Sequence, residues 1–294
     1  MFGDFPIENK IVLVTGGGSG IGLQLTRLAS ANGAKVIVAD LQLTPEAQQL
    51  VENTDTVVFQ RCDVRIWADL EALIQLSRDK WNDVPDVYVA SAGIFEPKWA
   101  SFWQDTETTR YATVDINVNH PIKLTRLAIR ALLETNKKGV VCLVSSIAAF
   151  GSSLASPVYA ASKHALWGFV KSMAPLDALE GVKVTSICPG LVPTPLWNTL
   201  PEFRTQYSVD QMDHVSAEEV AECMLSLIQE GKYPGGAVME ITTPGPNGRR
   251  IIPPWNVSPT QMYASRARSE ELVRNLIGPV REVLKKERKA KAKL

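Results

Sequence analysis

Short β-branched runs alternate with longer helical patterns along most of this chain. The runs are almost continuously apolar, as expected of strands that are covered on both faces. Seven segments have this character: 11–15, 35–39, 56–60, 86–90, 140–145, 183–187 and 237–241. Five candidate helices lie between them: 21–31, 67–81, 110–133, 157–179 and 217–229. The alternation predicts an α/β fold with a single doubly wound parallel sheet of about seven strands.

Proline and serine positions predict where these helices begin and break. Pro121 should kink the third candidate helix, and Pro175 should kink or end the fourth, because proline removes a backbone hydrogen bond. Ser216 followed by Glu219 is the pattern of a capping box and predicts the start of the last helix.

The composition excludes several classes of protein. Hydrophobic residues make up 45% of the chain and charged residues 21%, which is a globular mixture rather than a disordered one. Because no run of about twenty apolar residues occurs, no transmembrane helix is expected, and residues 1–10 lack the apolar core of a signal peptide. The cysteines have no paired spacing, which argues against disulfides or a zinc site. We expect a cytoplasmic protein with no metal.

A change in composition follows Thr243. Residues 244–294 contain 12 Lys and Arg against 4 Asp and Glu, whereas the whole chain has 31 of each, so the tail is basic and the body acidic. An acidic body argues against nucleic-acid binding. We interpret residues 1–243 as one domain. Residues 244–294 then form a Pro-rich segment and a basic helical tail, which lies across the body or on a partner subunit.

A glycine-rich turn joins the first candidate strand to the first helix. Residues 15–22 read Thr-Gly-Gly-Gly-Ser-Gly-Ile-Gly. Glycine lets the backbone approach a pyrophosphate without Cβ clashes, and the following helix N-terminus offers unpaired N–H groups and a positive dipole end. The strand before the turn and the apolar helix after it favour dinucleotide binding over a flexible loop. Residues 1–243 are therefore predicted to be a Rossmann-fold domain.

Asp40 lies at the end of the second candidate strand. A carboxylate there can accept hydrogen bonds from the adenosine ribose hydroxyls and would repel a 2′-phosphate. The glycine turn contains no basic residue to bind that phosphate. The sequence therefore predicts NAD rather than NADP, with the alternative that Asp40 only opens a loop.

Tyr159 and Lys163 lie one helical turn apart, near the start of the fourth candidate helix. Ser156 and Pro157 are the expected N-cap and N1 residues of that helix. A neighbouring ammonium lowers the pKa of a phenol by favouring phenolate, which makes tyrosine usable as a general base. The same spacing also occurs by chance on amphipathic helices.

Ser146 and Asn117 strengthen the case for a catalytic site. Ser146 closes the candidate strand at 140–145, and ligands of open α/β sheets bind at the carboxyl ends of strands. Asn117 lies inside the candidate helix at 110–133, where asparagine is unfavourable. Either the Asn117 side chain has a specific local role, or it is simply a polar residue on the solvent-facing side of the helix.

These motifs together resemble the short-chain dehydrogenase/reductase family. The resemblance covers residues 8–243 in the family's order and spacing. The matching positions are residues 15–22, Cys62, Asp63, Val64, Ser91, Ala92, Gly93, Asn117, Ser146, residues 159–163, Pro189, Gly190 and Thr194. Residues 157–164, 187–190 and 236–243 are also similar to NAD-dependent 15-hydroxyprostaglandin dehydrogenase-like members. The resemblance implies hydride transfer between nicotinamide and a secondary alcohol or ketone, and a homodimer or homotetramer.

The resemblance also implies roles for individual residues. Tyr159 would be the general acid/base, and Lys163 would bind the nicotinamide ribose and lower the pKa of the tyrosine. Ser146 would orient the substrate oxygen, and Asn117 would hold a water in a proton relay through Lys163. The residues that would contact NAD are Gly16, Gly18, Ser19, Gly20, Ile21, Gly22, Asp40, Asp63, Val64, Ala92, Gly93, Tyr159, Lys163, Pro189, Gly190, Val192 and Thr194.

Within that set, Asp63 and Val64 would contact adenine, and Pro189, Gly190 and Thr194 would frame the nicotinamide carboxamide. One motif departs from the family: residues 90–93 read Ala-Ser-Ala-Gly where Asn-Asn-Ala-Gly is usual. The asparagine that braces the sheet is therefore replaced, which puts stability in doubt more than chemistry.

Apolar and aromatic residues follow Gly93 and Gly190. They are Phe95, Trp99, Phe102, Trp103, Leu191, Val192, Leu196, Trp197, Phe203 and Tyr207. Such a wall suits an apolar secondary alcohol or ketone, although core packing or a dimer contact would explain any one of them equally well. Two other functions stay open, an NADP-linked ketoreductase of a biosynthetic pathway and a non-catalytic NAD-sensing module.

The last three residues, Ala292, Lys293 and Leu294, resemble a peroxisomal address of the Ser-Lys-Leu type, which is the alternative to a cytoplasmic location. The basic tail would also permit weak contact with an anionic membrane.

Overall fold

A computed structural model describes residues 3–96, 101–103, 110–198, 213–253 and 266–289. Its strands are β1 Ile11–Thr15, β2 Lys35–Asp40, β3 Val57–Arg61, β4 Val87–Ala90, β5 Gly139–Val144, β6 Val182–Pro189, β7 Val238–Ile241 and β8 Arg249–Ile251. They form one sheet in the order β3-β2-β1-β4-β5-β6-β7-β8. Neighbouring strands are parallel except β7 and β8, which are antiparallel. The predicted doubly wound parallel sheet is confirmed, with β8 added at its edge.

Helices follow most of the strands. Their bounds are α1 Gly20–Ala31, α2 Pro45–Glu52, α3 Trp67–Trp81, α4 His120–Glu134, α5 Pro157–Ser172, α6 Pro175–Glu180, α7 Pro195–Asn198, α8 Ala217–Gln229 and α9 Arg266–Lys289. The Ser216–Glu219 capping box at the start of α8 is present as predicted. Neither α2 nor α7 was expected from the sequence.

The two faces of the sheet carry separate apolar cores, because side chains alternate across each strand. In β1, Leu13 belongs to one core, while Val12 and Val14 belong to the other. Helices α3, α4 and α5 cover the first face, and α1 and α8 cover the second. All residues of β6 are buried, as expected for a strand covered on both sides.

Two of the predicted helices are interrupted at or near proline. The candidate helix at 110–133 is not continuous: a turn at Ala112–Val114 and a π-helical turn at Asp115–Asn119 precede α4. Pro121 lies in the first turn of α4, directly after the π-helical turn, so the regular α-helical pattern is interrupted beside this proline as the sequence predicted. Pro175 behaves as predicted, since α5 ends at Ser172 and Pro175 begins α6.

The C-terminal helix α9 packs against α4. Leu284 is buried, Arg126 pairs with Glu287, and the Arg288 guanidinium lies 2.7 Å from the Glu180 carboxylate of α6. Pro279 lies within α9 and does not end it. The division after Thr243 stays a prediction, although the sheet itself extends to Ile251. None of the described helices is long and apolar enough to cross a membrane.

Candidate active site

The predicted site residues gather at the carboxyl edge of the sheet. The glycine turn follows β1, Asp40 ends β2, Gly93 follows β4, Ser146 follows β5 and Gly190 follows β6. Strand β1 lies between β2 and β4, at the point where the strand order changes direction. Doubly wound sheets bind their ligands in the crevice at this point.

The glycine turn has close backbone approaches that a side chain would prevent. Gly16 has φ +68°, and a Cβ there would lie 2.5 Å from the backbone N of Ala92. A Cβ at Gly22 would lie 2.1 Å from the backbone O of Gly16. Ser19 is the N-cap of α1, and within the described chain its side chain makes no capping hydrogen bond. The first N–H groups of α1 can therefore receive an anion, so this cradle fits a pyrophosphate.

The loop after β6 reaches the same cradle. A Cβ at Gly20, which has φ +51°, would lie 3.2 Å from the Thr194 Cβ. Gly190 N donates to Ile241 O over 2.8 Å, and the Trp197 indole donates to Val192 O over 3.0 Å. The structure thus brings the segment predicted to frame nicotinamide beside the segment predicted to hold pyrophosphate.

Asp40 faces the glycine turn. One carboxylate oxygen accepts from Gly18 N at 2.9 Å and the other accepts from Leu41 N at 2.8 Å. Burial raises the pKa of Asp40, and these backbone hydrogen bonds act in the opposite direction. The carboxylate therefore braces the turn, and its remaining lone pairs can still accept from a ribose.

The residues predicted to meet adenine have partners within the protein. The Asp63 carboxylate accepts from the Arg65 guanidinium at 2.6 Å, and this pair holds the pKa of Asp63 below its usual value. The backbone N of Asp63 donates to Asp69, and Val64 is buried in the core. Their contact with adenine stays a prediction.

Ser146, Tyr159 and Lys163 converge. Ser146 is buried at the end of β5, and its side chain lies near enough to that of Tyr159 to affect the pKa of the phenol. Lys163 follows one turn later on α5, where its Nζ donates to Val144 O over 3.1 Å and lies 5.5 Å from the Tyr159 ring centroid. Three side chains from two separate parts of the sequence thus lie close together at the edge of the sheet.

The electrostatics of this cluster correct one expectation. The pKa of Tyr159 is not lowered in this structure: burial raises it to about 12, although the nearby Ser146 side chain opposes that shift. Burial also lowers the pKa of Lys163 to about 8. Desolvation is the largest cause of both shifts, and the Lys163 ammonium donates to the Val144 carbonyl.

Asn117 is buried within the π-helical turn and does not face solvent. Its Oδ1 accepts from Ile94 N at 3.0 Å and its Nδ2 donates to Ile94 O at 2.8 Å. Nδ2 also lies 3.2 Å from the Ser162 hydroxyl on α5. Asn117 therefore ties the segment after β4 to the helix that carries Tyr159 and Lys163. Its part in a water relay stays a prediction.

Two buried polar residues near the site were missed from the sequence. Glu96 is 1% exposed and accepts from Tyr159 N and from Phe102 N, each at 2.9 Å. His120 is 0% exposed, and its Nε2 lies 3.0 Å from the Thr15 hydroxyl at the end of β1. Local spacing gives no signal for either contact because the partners are far apart in sequence.

Two pairs of aromatic side chains lie in this region, one beside Tyr159 and one in the segment 101–103. Phe95 is buried, with its ring centroid 4.6 Å from that of Tyr159 and 5.3 Å from that of Trp197. Phe102 and Trp103 pack edge to face and are largely exposed. The other predicted wall residues Trp99, Phe203 and Tyr207 lie outside the described residues. Within the described ranges, no group of His, Cys, Asp and Glu could hold a metal ion.

Comparison with known proteins agrees with this geometry. A sequence profile of the short chain dehydrogenases matches residues 10–205. Short-chain dehydrogenase reductase 3b of Arabidopsis thaliana is 30% identical over 196 residues, which cover 65% of this chain and 74% of that protein. (+)-Borneol dehydrogenase 2 of Salvia officinalis is 30% identical over 246 residues, covering 77% and 86%. 3-Hydroxyacyl-CoA dehydrogenase type-2 of Drosophila melanogaster is 31% identical over 209 residues, covering 67% and 80%.

The matched region includes the glycine turn, Asn117, Ser146, Tyr159 and Lys163. Members of this family are oxidoreductases that bind NAD or NADP. With its Rossmann fold and the profile match over most of its length, the chain belongs to the short-chain dehydrogenase/reductase family.

Proposed function

We propose that this protein is an NAD-dependent oxidoreductase that transfers hydride between nicotinamide and an apolar secondary alcohol or its ketone. The observation that carries the proposal is the convergence of Ser146, Tyr159 and Lys163 at the carboxyl edge of the sheet, beside the glycine turn. Nicotinamide, when bound, supplies or takes up the hydride. The side chains of the protein have to hold the substrate oxygen and move its proton.

Tyr159 is the general acid/base of this proposal. Because burial raises the pKa of Tyr159 to about 12, the phenol keeps its proton at neutral pH and can give it to a substrate carbonyl. The Ser146 side chain lies close to that of Tyr159, so one substrate oxygen can meet both hydroxyls. In the oxidative direction Tyr159 has to accept the proton, and the Lys163 ammonium near its ring stabilises the phenolate.

Asp40 supports NAD over NADP. Its carboxylate lies against Gly18 of the glycine turn, where a 2′-phosphate would bring further negative charge next to it. The rival is an NADP-linked ketoreductase. Side-by-side fluorescence titrations with NADH and NADPH separate the two, because Asp40 predicts clearly tighter binding of NADH. Tighter binding of NADPH would support the rival.

The rings of Phe95 and Trp197 beside Tyr159, together with the exposed rings of Phe102 and Trp103, support an apolar substrate. One relative is named for borneol, which is a bulky apolar secondary alcohol. A panel of terpenoid, steroid and fatty hydroxy compounds with NAD, followed by NADH absorbance, tests the proposal. Turnover of apolar members and not of short polar alcohols is expected. A panel without any turnover in either direction would favour a non-catalytic NAD-sensing module.

We also propose a homodimer or homotetramer, from the family resemblance, and a cytoplasmic location, from the composition. The peroxisomal alternative rests on Ala292, Lys293 and Leu294, which lie outside the described residues.

A further inference from the structure

Glu96 is a buried carboxylate at the edge of the candidate active site. Its side chain is on a residue only 1% exposed, and one oxygen accepts from Tyr159 N while the other accepts from Phe102 N, both at 2.9 Å. A buried carboxylate is costly unless such hydrogen bonds compensate it. Glu96 is therefore not a surface charge that water stabilises. Its two backbone hydrogen bonds have to stabilise the carboxylate in its buried position.

The first contact fixes the beginning of α5. Tyr159 is the third residue of that helix, so its N–H has no acceptor within the helix. An anion is also favoured at a helix N-terminus by the helix dipole. Glu96, which lies in a distant segment of the sequence, thus supplies the missing acceptor. Its hydrogen bond holds the first turn of α5, which carries the Tyr159 side chain.

The second contact fixes the aromatic segment 101–103. The Phe102 backbone N–H donates to the other carboxylate oxygen of Glu96, and the neighbouring Trp103 indole donates to Leu154 O over 2.6 Å. Leu154 precedes α5, so the segment is attached both to Glu96 and to the approach to that helix. Phe95, next to Glu96 in sequence, places its ring against Tyr159.

We propose that Glu96 is a positioning residue. Its single carboxylate fixes Tyr159 and the aromatic segment 101–103 relative to each other. The catalytic part of this inference depends on the proposed function; the structural part does not. Glu96 acts through the backbone of Tyr159 and Phe102 and does not itself exchange a proton with substrate.

Glu96→Gln is the direct test, because glutamine keeps the size of the side chain but turns an N–H donor toward one of the two backbone N–H groups. The matched control is Glu219→Gln. Glu219 also accepts two backbone N–H groups with its two oxygens, from Ser216 and Gly245, each at 3.1 Å, on α8. If Glu96→Gln does not fold, Glu96→Asp keeps the charge and shortens the reach.

Amide hydrogen exchange, measured on the intact protein by NMR, is the first readout. The Tyr159 and Phe102 amides should both exchange at least about tenfold faster in Glu96→Gln than in wild type or Glu219→Gln. This readout needs neither cofactor nor substrate. Unchanged exchange at both amides would overturn the inference whatever the enzyme does.

Steady-state kinetics on an apolar alcohol found by the substrate panel is the second readout. We expect about a tenfold or larger fall in kcat and a rise in KM in Glu96→Gln, with NADH affinity within about twofold of wild type. Faster exchange with unchanged kcat and KM would overturn the positioning role. If wild type turns over nothing, the proposed function fails, and the exchange experiment still decides whether Glu96 joins the two segments.

Discussion

Asn117 clamps the backbone of Ile94 through both ends of its amide, with Oδ1 at 3.0 Å from Ile94 N and Nδ2 at 2.8 Å from Ile94 O. The clamp joins the π-helical turn before α4 to the segment after β4. In that segment Gly93 lies near Lys163, since a Cβ there would be 3.9 Å from the Lys163 Nζ. Asn117 thus links the position of α4 to the position of the Gly93 segment beside Lys163.

Asn117→Ala should therefore harm both stability and turnover. It leaves the N–H and C=O of Ile94 without their amide partner, and we expect the free energy of unfolding to fall by about 2 kcal/mol. We also expect kcat to fall, because the Gly93 segment loses its anchor. Asn119→Ala, in the same turn but exposed, is the control and should have little effect. Equal effects of the two variants in urea unfolding would contradict the clamp.

His120 should make the protein acid-sensitive. Burial lowers its pKa to about 4, from an ordinary value of 6.5, and the nearby Lys163 charge adds to the shift. Between those two pH values the unfolded chain binds a proton that the folded protein does not. The free energy of unfolding should therefore fall by about 1.4 kcal/mol per pH unit from this group alone as the pH drops.

His120→Gln should remove that part of the slope in urea unfolding from pH 6.5 to pH 4. The matched control is His164→Gln, because His164 makes the same ring contact with a backbone carbonyl four residues earlier but is exposed. A slope that persists unchanged in His120→Gln would show that other groups cause it.

In the protein without cofactor, Lys163 should lower the free energy of unfolding. Burial lowers its pKa from 10.5 to about 8, so at neutral pH folding has to bury an ammonium that water would solvate better. This cost is complete below pH 8 and disappears as the pH rises to 10.5, where the unfolded chain is also neutral. Lys163→Met should therefore raise the free energy of unfolding at neutral pH by on the order of 2 kcal/mol.

The gain in the free energy of unfolding from Lys163→Met should shrink as the pH rises from about 8 to 10.5. Lys80→Met on the exposed face of α3 is the control and should change stability little at any pH. Destabilisation of the Lys163→Met protein at neutral pH, measured by chemical unfolding, would contradict this account of the lysine.

Gly16 should tolerate no side chain. With φ +68° and a Cβ position 2.5 Å from Ala92 N, Gly16→Ala has to displace the backbone after β4 or the glycine turn itself. We expect NADH binding to be lost and thermal stability to fall. Gly168→Ala is the control: nothing lies within 4 Å of a Cβ there, so it should stabilise α5 slightly. A Gly16→Ala protein that binds NADH normally would refute the close approach.

The sequence predicted strands β1, β2, β4, β5, β6 and β7 well because they are apolar runs that the fold buries. It did not predict β8, since Arg249–Ile251 is a short, largely exposed edge strand that follows several prolines. It did not predict α2 either, because Ala47 is the only residue of that helix that is buried. Elements that contribute little to a core leave little apolar periodicity to detect.

The candidate catalytic residues could be identified from motifs, but their surroundings in the folded protein could not. Glu96 meets Tyr159 across 63 positions of sequence, and His120 meets Thr15 across 105. The pKa of Tyr159 was misjudged for the same reason: the sequence shows the neighbouring lysine, whereas the desolvation that raises the pKa arises from the folded surroundings.

The most direct test of the central claim compares turnover with cofactor binding in Tyr159→Phe, using the substrate identified by the alcohol panel. The account predicts that turnover is abolished while NADH binds nearly as in wild type, because only the phenol oxygen is removed. Tyr233→Phe, at a tyrosine outside the candidate site, should keep full activity. Retained turnover in Tyr159→Phe would contradict the assignment of Tyr159 as the acid/base.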